Sequence, residues 1–236
     1  MSLTREDLES NRFRQLIQQV IDQTGLPLHV LSDAELEASL EATLAKQPVG
    51  GDVQLFAYGS LIWNPVFPYL DRQAGTIRGL HRRFCLQTQL GRGTPENPGL
   101  VLGLDRGGSC RGIFYRIAAA TAKAELRLVW RREMVVGSYL PRWVKVWDGK
   151  QEQLAIAFVV NRQHPNYVGN LSFEATVDQI ATASGQLGSA ADYLLQTVDG
   201  LLSMQIRDRH LLQLRDAVLQ RCNPNTNSFS KPQPTV

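Results

Sequence analysis

The sequence predicts an α+β protein with a curved or barrel-like sheet and a helical extension at its N-terminus. Short runs rich in β-branched and aromatic residues fill the middle of the chain, and helical patterns fill its last third. A single helical pattern interrupts the strands. With 236 residues and 43% hydrophobic content, the chain can bury its own core without disulfides.

Residues 1–52 predict two helices. Ser2 or Thr4 can cap a helix that runs to about Asp22, and Ser32 with Glu35 forms a capping box that opens a second one. The segment carries four basic and nine acidic side chains, whereas the rest of the chain carries 21 and 13. The Pro/Gly-rich residues 48–51 predict a boundary. Two interpretations of this extension remain open: it is a regulatory or dimerising element, or it only packs against the rest of the chain.

The predicted strands are residues 53–58, 75–79, 83–89, 100–104, 112–117, 143–147 and 154–160. A helix over 121–134 falls between the fifth and sixth strands. Three further helices are predicted over 173–184, 189–205 and 207–220, with a Ser-x-x-Asp box at Ser189. These elements define a domain over 53–222, followed by a Pro/Asn/Ser-rich tail, 223–236, that is expected to be flexible.

Composition excludes several classes of protein. The four histidines and three cysteines form no metal-ligand or disulfide pattern, and no phosphate-loop motif is present. No apolar run is long enough to cross a bilayer, and no secretory leader is recognised, so we expect a cytoplasmic protein. The basic residues 81–83 are interpreted as a solvated strand end rather than as a contact to nucleic acid.

The first candidate site is the turn after the first strand, where the sequence runs Ala57-Tyr58-Gly59-Ser60-Leu61-Ile62. Glycine permits a close backbone approach, and successive N–H groups in such a turn can bind an anion. An ordinary strand-ending turn is the alternative. A second candidate is the Gly- and Pro-rich loop 91–99, in which Arg92 is either a binding group or a solvated cation.

The third candidate is Glu133 in the inserted helix. Leu126, Val129 and Trp130 define the apolar stripe of this helix, and Glu133 lies seven, four and three residues after them, respectively. A carboxylate on that face loses solvation and holds its proton more tightly, which suits a general base or acid. The alternative is a structural glutamate paired with Arg132 or Arg83.

The ordered motifs resemble those of the ChaC-type γ-glutamylcyclotransferases, in particular their bacterial branch. The similarity runs from about Phe56 to Leu219. Its motifs are YGSLIWNP at 58–65, RRFC at 82–85, GRGTPENPGLVLGLDRGGSCRG at 91–112, LVWRREM at 128–134, YLPRW at 139–143, NYVGNLS at 166–172 and DRHL at 208–211. The acidic extension lies outside this region.

The resemblance implies a small mixed β-barrel flanked by helices, with no metal or cofactor. It implies cleavage of glutathione to 5-oxoproline and Cys-Gly, with Glu133 as the catalytic base. Residues Ala57 to Ile62 would form the substrate loop, with Tyr139 as a further substrate contact and Arg92 as a partner for a substrate carboxylate. Glutathione is then the expected partner, with no nucleic acid or membrane, and the chain a monomer or homodimer.

Two other functions remain open at this point. One is a cyclotransferase for other γ-glutamyl amines. The other is a non-catalytic regulator of cation transport, for which the sequence offers no partner-binding motif. The backbone N–H groups of Gly59 to Leu61 can hold either the substrate carboxylate or a developing oxyanion.

Overall fold

The computed structural model describes residues 3–47 and 50–223, and the elements below lie within them. Its helices are α1 (Arg5–Glu9), α2 (Arg12–Thr24), α3 (Asp33–Leu44), α4 (Ala122–Glu133), α5 (Phe173–Thr182), α6 (Ala190–Ser203) and α7 (Arg209–Cys222). Its strands are β1 (Val53–Ala57), β2 (Asp71–Thr88), β3 (Gly99–Ile117), β4 (Tyr139–Trp147), β5 (Glu152–Val160), β6 (Ser184–Gly185) and β7 (Gly188–Ser189). Ser2, half of the predicted boundary and almost all of the predicted tail lie outside the described residues.

Five strands close into a barrel in the order β1-β3-β2-β4-β5. Most neighbours are antiparallel, and β1 closes the ring by pairing in parallel with β5 at Leu55↔Ile156. Phe56 and Phe114 pair across β1 and β3 in the core, each at most 2% exposed, and Phe158 packs against Trp130 of α4 with ring centres 5.0 Å apart. Helices cover the outside, so the predicted α+β barrel is confirmed.

Two pairs of predicted strands are in fact single long strands. The segments 75–79 and 83–89 both belong to β2, and 100–104 and 112–117 both belong to β3. Gly79, with φ +80°, forms a bulge where the β2–β3 register shifts, and a second shift lies between Phe84 and Leu86. A bulge bends a strand without ending it, so β2 continues through Gly79, where the predicted strand 75–79 ends.

The first predicted helix is also wrong in one respect, because it is broken in two. Asn11 adopts the left-handed conformation, with φ 58°, and α2 begins after it. Asparagine tolerates this region better than most residues. The caps agree with prediction elsewhere, since Ser32 and Glu35 form the capping box of α3 and Ser189 accepts a bond from the backbone of Asp192.

The acidic extension packs on α4. Glu37 binds Arg127 at 2.7 and 2.8 Å, and Glu41 accepts a bond of 2.7 Å from Lys123. Ser39 accepts a hydrogen bond of 3.2 Å from the indole of Trp130. The uneven charge along the sequence therefore corresponds to contacts between the acidic segment and a basic helix face.

None of the described helices is both long and apolar enough to cross a membrane.

Candidate active site

The turn that follows β1 lies at one end of the barrel. Its backbone curls into a short 3-10 helix over residues 60–62, where the Ile62 N–H donates to the Gly59 carbonyl at 2.9 Å. The Tyr58 hydroxyl donates to the Phe158 carbonyl at 2.7 Å. A Cβ on Gly59 would lie only 2.8 Å from the Tyr193 hydroxyl oxygen, so any side chain at this position would displace that hydroxyl.

Arg82 holds this turn in place through a hydrogen bond and is buried. This corrects the interpretation of residues 81–83 as a solvated strand end. The Arg82 side chain is only 2% exposed. The guanidinium donates to the Tyr58 carbonyl at 2.9 Å and the Arg111 carbonyl at 3.0 Å, and it pairs with Asp208 at 2.8 Å. The planar guanidinium can make all these contacts at once because its five donors point in fixed directions.

Glu133 is the last residue of α4, and its side chain is 13% exposed. Its Oε1 atom is closed off from solvent and makes no hydrogen bond to any described residue, although Arg132 Nε lies 3.0 Å away. Burial raises the pKa of Glu133, and the charge of Arg132 offsets this only in part. A buried acceptor without a hydrogen-bond donor is unusual and suits a group that receives a proton from a ligand.

Arg92 is presented to the same region by the loop between β2 and β3. A Cβ on Gly93 would lie 2.0 Å from the Gly99 backbone nitrogen, so the two ends of this loop touch through their backbones. Arg92 lies 5.9 Å from the ring centres of Trp63 and Tyr193. Burial lowers the pKa of this guanidinium, which remains charged and has few polar partners besides the Ser189 carbonyl at 3.2 Å.

Two tyrosines join β3 to the site. The Tyr139 hydroxyl donates to the Leu102 carbonyl at 2.7 Å, and the Leu102 backbone partly offsets the effect of burial on the pKa of Tyr193. Burial raises the pKa of Tyr193 to about 12 and that of Tyr139 well above its ordinary value. Both phenols therefore stay protonated at neutral pH and act as neutral groups.

These elements enclose two adjoining cavities. The inner cavity, of about 20 Å³, is lined by the β1 turn and the barrel interior. The outer cavity, of about 190 Å³, opens beside it. Both are lined by Ser60, Glu133, Tyr139 and Tyr193. Glu133 thus lies where the two cavities meet.

The predicted site residues converge on these cavities with one exception. Ala57, Tyr58, Gly59 and Leu61 line the inner cavity, and Arg92 lines the outer one. Ile62 is not among the described residues that line either cavity. It is 3% exposed and packs against Gly200.

Sequence reasoning missed two contributors to the outer cavity. Tyr193 occupies the buried face of an amphipathic helix, where nothing distinguishes it from a core aromatic residue. Arg132 was considered only as a structural partner of Glu133, yet it lines the cavity with 8% of its side chain exposed. Three consecutive charged residues, 131–133, at the end of an amphipathic helix were the available signal.

The cysteines give no sign of a nucleophile. Burial raises the pKa of Cys85 to about 12 and raises that of Cys110. Their thiols therefore stay protonated and unreactive at neutral pH. Cys222, by contrast, is exposed at the end of α7.

Comparisons with known proteins cover the barrel and the C-terminal helices. The family model described as "ChaC-like protein" matches residues 53–221. A glutathione-specific γ-glutamylcyclotransferase of Escherichia coli is 41% identical, covering 75% of this chain and 77% of the relative. A human relative, glutathione-specific γ-glutamylcyclotransferase 1, is 35% identical over 71% of this chain and 80% of its own.

The fold is also found among solved structures. The yeast γ-glutamylcyclotransferase specific to glutathione superposes with a TM-score of 0.68 at 22% identity, covering 75% of this chain and all of the yeast chain. At that identity the likeness concerns the fold. The family model and the curated relatives decide the assignment: this chain belongs to the ChaC-like family.

Proposed function

We propose that this protein is a γ-glutamylcyclotransferase that converts glutathione to 5-oxoproline and Cys-Gly. The main support for the proposal is the Oε1 atom of Glu133, which is buried and accepts no hydrogen bond from any described residue. Glu133 faces the turn of residues 57–61, where the two cavities meet. The names of the E. coli and human relatives support the substrate. The three free thiols suit a reducing compartment, so we place this activity in the cytoplasm.

The charges around the cavity complement those of glutathione. Arg92 and Arg132 both line the outer cavity, and their guanidinium groups can pair with the two carboxylates of the tripeptide. The backbone N–H groups of Gly59 to Leu61 are the candidate donors for the γ-carbonyl oxygen as it gains charge. Tyr139, whose hydroxyl donates a hydrogen bond to the Leu102 carbonyl of β3, would pack beside the γ-glutamyl group.

In this reaction the substrate supplies its own nucleophile. The α-amine attacks the γ-carbonyl carbon to form a C–N bond and a five-membered ring, and the amide bond to the cysteine nitrogen breaks. The nitrogen of the α-ammonium loses two protons in becoming the ring amide. Glu133 takes the first before the attack, and both protons end on the departing amine of Cys-Gly. Holding the reactive conformer supplies an effective molarity of about 10⁵ M or more.

The direct test is incubation of the purified protein with glutathione and detection of 5-oxoproline and Cys-Gly in equal amounts. γ-Glutamylalanine and γ-glutamyl methylamine serve as comparison substrates. We expect the highest kcat/KM for glutathione. Absence of 5-oxoproline from all three substrates would overturn the proposal, and a preference for the simple amine would redirect it to other γ-glutamyl amines.

The raised pKa of Glu133 predicts the pH dependence of kcat/KM. The base must be ionised in the free enzyme, so kcat/KM is expected to fall as the pH drops through the pKa of Glu133. Because that pKa lies above its ordinary value, the fall should begin at a higher pH than for a solvated glutamate. Rates measured from pH 4.5 to 8, with circular dichroism to confirm folding at each pH, check this. A flat profile over the folded range would contradict it.

A further inference from the structure

We infer that Leu3 and helix α2, anchored through α1, form the outer wall of the active-site cavity, and that Phe13 and Ile17 select the amine that leaves. This inference rests on the proposed function. It assigns a role to a segment that lies before residue 53, where the match to the family model begins.

Phe13 and Ile17 are placed to do this. They are one helical turn apart on α2, are 9% and 2% exposed, and both line the outer cavity together with Leu3. Val135 and Leu187 continue the apolar surface from the catalytic domain. Three residues of the extension thus complete a site whose other described lining residues lie between Ser60 and Tyr193, within the region that the family model matches.

The wall is fixed to the elements that carry the reacting groups. Arg5 forms two contacts of 2.5 and 3.2 Å with Glu125 of α4. The Leu3 carbonyl accepts a bond of 2.7 Å from Asn64, and Arg131 donates to the Leu8 carbonyl at 3.1 Å. Because α4 ends in Glu133, these contacts hold the wall and the glutamate in a fixed relation.

The order of the cavities indicates which part of the substrate meets the wall. The β1 turn lines the inner cavity, and Phe13 and Ile17 line only the outer one. With the γ-carbonyl carbon beside Glu133 and the γ-glutamyl end toward the turn, the departing amine extends outward. The wall then packs on Cys-Gly, and one of the two arginines that line the outer cavity, Arg92 or Arg132, pairs with its carboxylate.

An apolar wall discriminates by size and shape. A leaving group that fills the cavity excludes water and contacts Phe13 and Ile17. A small amine leaves these two apolar side chains exposed to water. Apolar contacts in a substrate pocket change selectivity by about 10- to 200-fold. The extension would therefore favour the dipeptide Cys-Gly over a single amino acid.

The test uses the full chain with Phe13→Ala, Phe13→Leu and Ile17→Ala, and measures kcat/KM for glutathione and for γ-glutamylalanine. We expect the two alanine variants to lose about tenfold in kcat/KM for glutathione, mainly through KM, and less than twofold for γ-glutamylalanine. Phe13→Leu should fall between them and the unmodified protein, and it remains informative if Phe13→Ala does not fold.

Ile21→Ala is the matched control. Ile21 lies one turn beyond Ile17, is 7% exposed in the same apolar cluster, and is not among the residues that line the cavity. Its substitution should lower stability to a similar extent but preserve the ratio of the two kcat/KM values. An unchanged ratio in the Phe13 and Ile17 variants, or an equal change in Ile21→Ala, would overturn the inference. If the unmodified protein cleaves neither substrate, the proposed function itself has failed.

Discussion

Glu133→Gln is expected to lower kcat/KM for glutathione by about 10²- to 10⁴-fold while KM changes little. Glutamine keeps the shape of the side chain but cannot accept the proton that the α-ammonium must lose. The measurement is 5-oxoproline release by the purified variant. Unchanged turnover by a folded Glu133→Gln protein would show that another group is the base.

The same substitution is expected to leave the melting temperature unchanged or to raise it at neutral pH. The folded protein holds the Glu133 proton more tightly than the unfolded chain does, because burial raises the pKa. Protonated Glu133 therefore makes its full contribution to folding stability below the ordinary pKa of glutamate. This contribution is lost as the pH rises through the raised pKa. Glutamine has no charge to desolvate, so it does not incur this loss.

Glu125→Gln provides the matched control for both results. Glu125 lies two turns earlier on α4, and its side chain is 9% exposed, but it pairs with Arg5 and is not among the cavity-lining residues. We expect it to lower stability by weakening that ion pair. Because the pair anchors the cavity wall but touches no reacting group, kcat/KM for glutathione should change by a few-fold at most. The two glutamates of one helix should thus respond in opposite ways.

Arg82→Met is expected to reduce the free energy of unfolding by about 3–5 kcal/mol. The substitution leaves Asp208 without its buried partner and removes the donors to the Tyr58 and Arg111 carbonyls. Urea unfolding gives the free energy. Since the Tyr58 carbonyl belongs to the turn that lines the inner cavity, kcat/KM should fall as well, even at temperatures where the variant is fully folded.

Arg82→Lys should give an intermediate loss, because an ammonium keeps the charge but cannot reach three acceptors in one plane. Arg106→Met is the control. Arg106 is exposed on β3 and its side chain forms no ion pair with any residue that the structure describes, so its removal should change stability by less than about 0.5 kcal/mol. A loss below 1 kcal/mol for Arg82→Met would contradict the assigned role.

The amino-acid sequence alone predicted the class of fold and identified Glu133 as a candidate catalytic side chain. The β-type runs and the single inserted helix predicted the barrel because strand and helix periodicities are local properties. Glu133 emerged in the same way, since its spacing from Val129 and Trp130 places it on the buried face of α4. The capping box of Ser32 and Glu35 was predictable for the same reason, because it depends only on residues three positions apart in the sequence.

Only the tertiary structure decided which distant residues meet. Arg82 was assigned to solvent because arginine is rarely buried without partners, and its partners Tyr58 and Asp208 lie 24 and 126 residues away in sequence. Tyr193 and Phe13 look like core residues in sequence, and it is the packing of α6 and α2 that places them beside the cavity. Charge along the chain indicated that the extension and the barrel differ, but their contact along α4 required the folded arrangement, since long-range pairing leaves no local trace in the sequence.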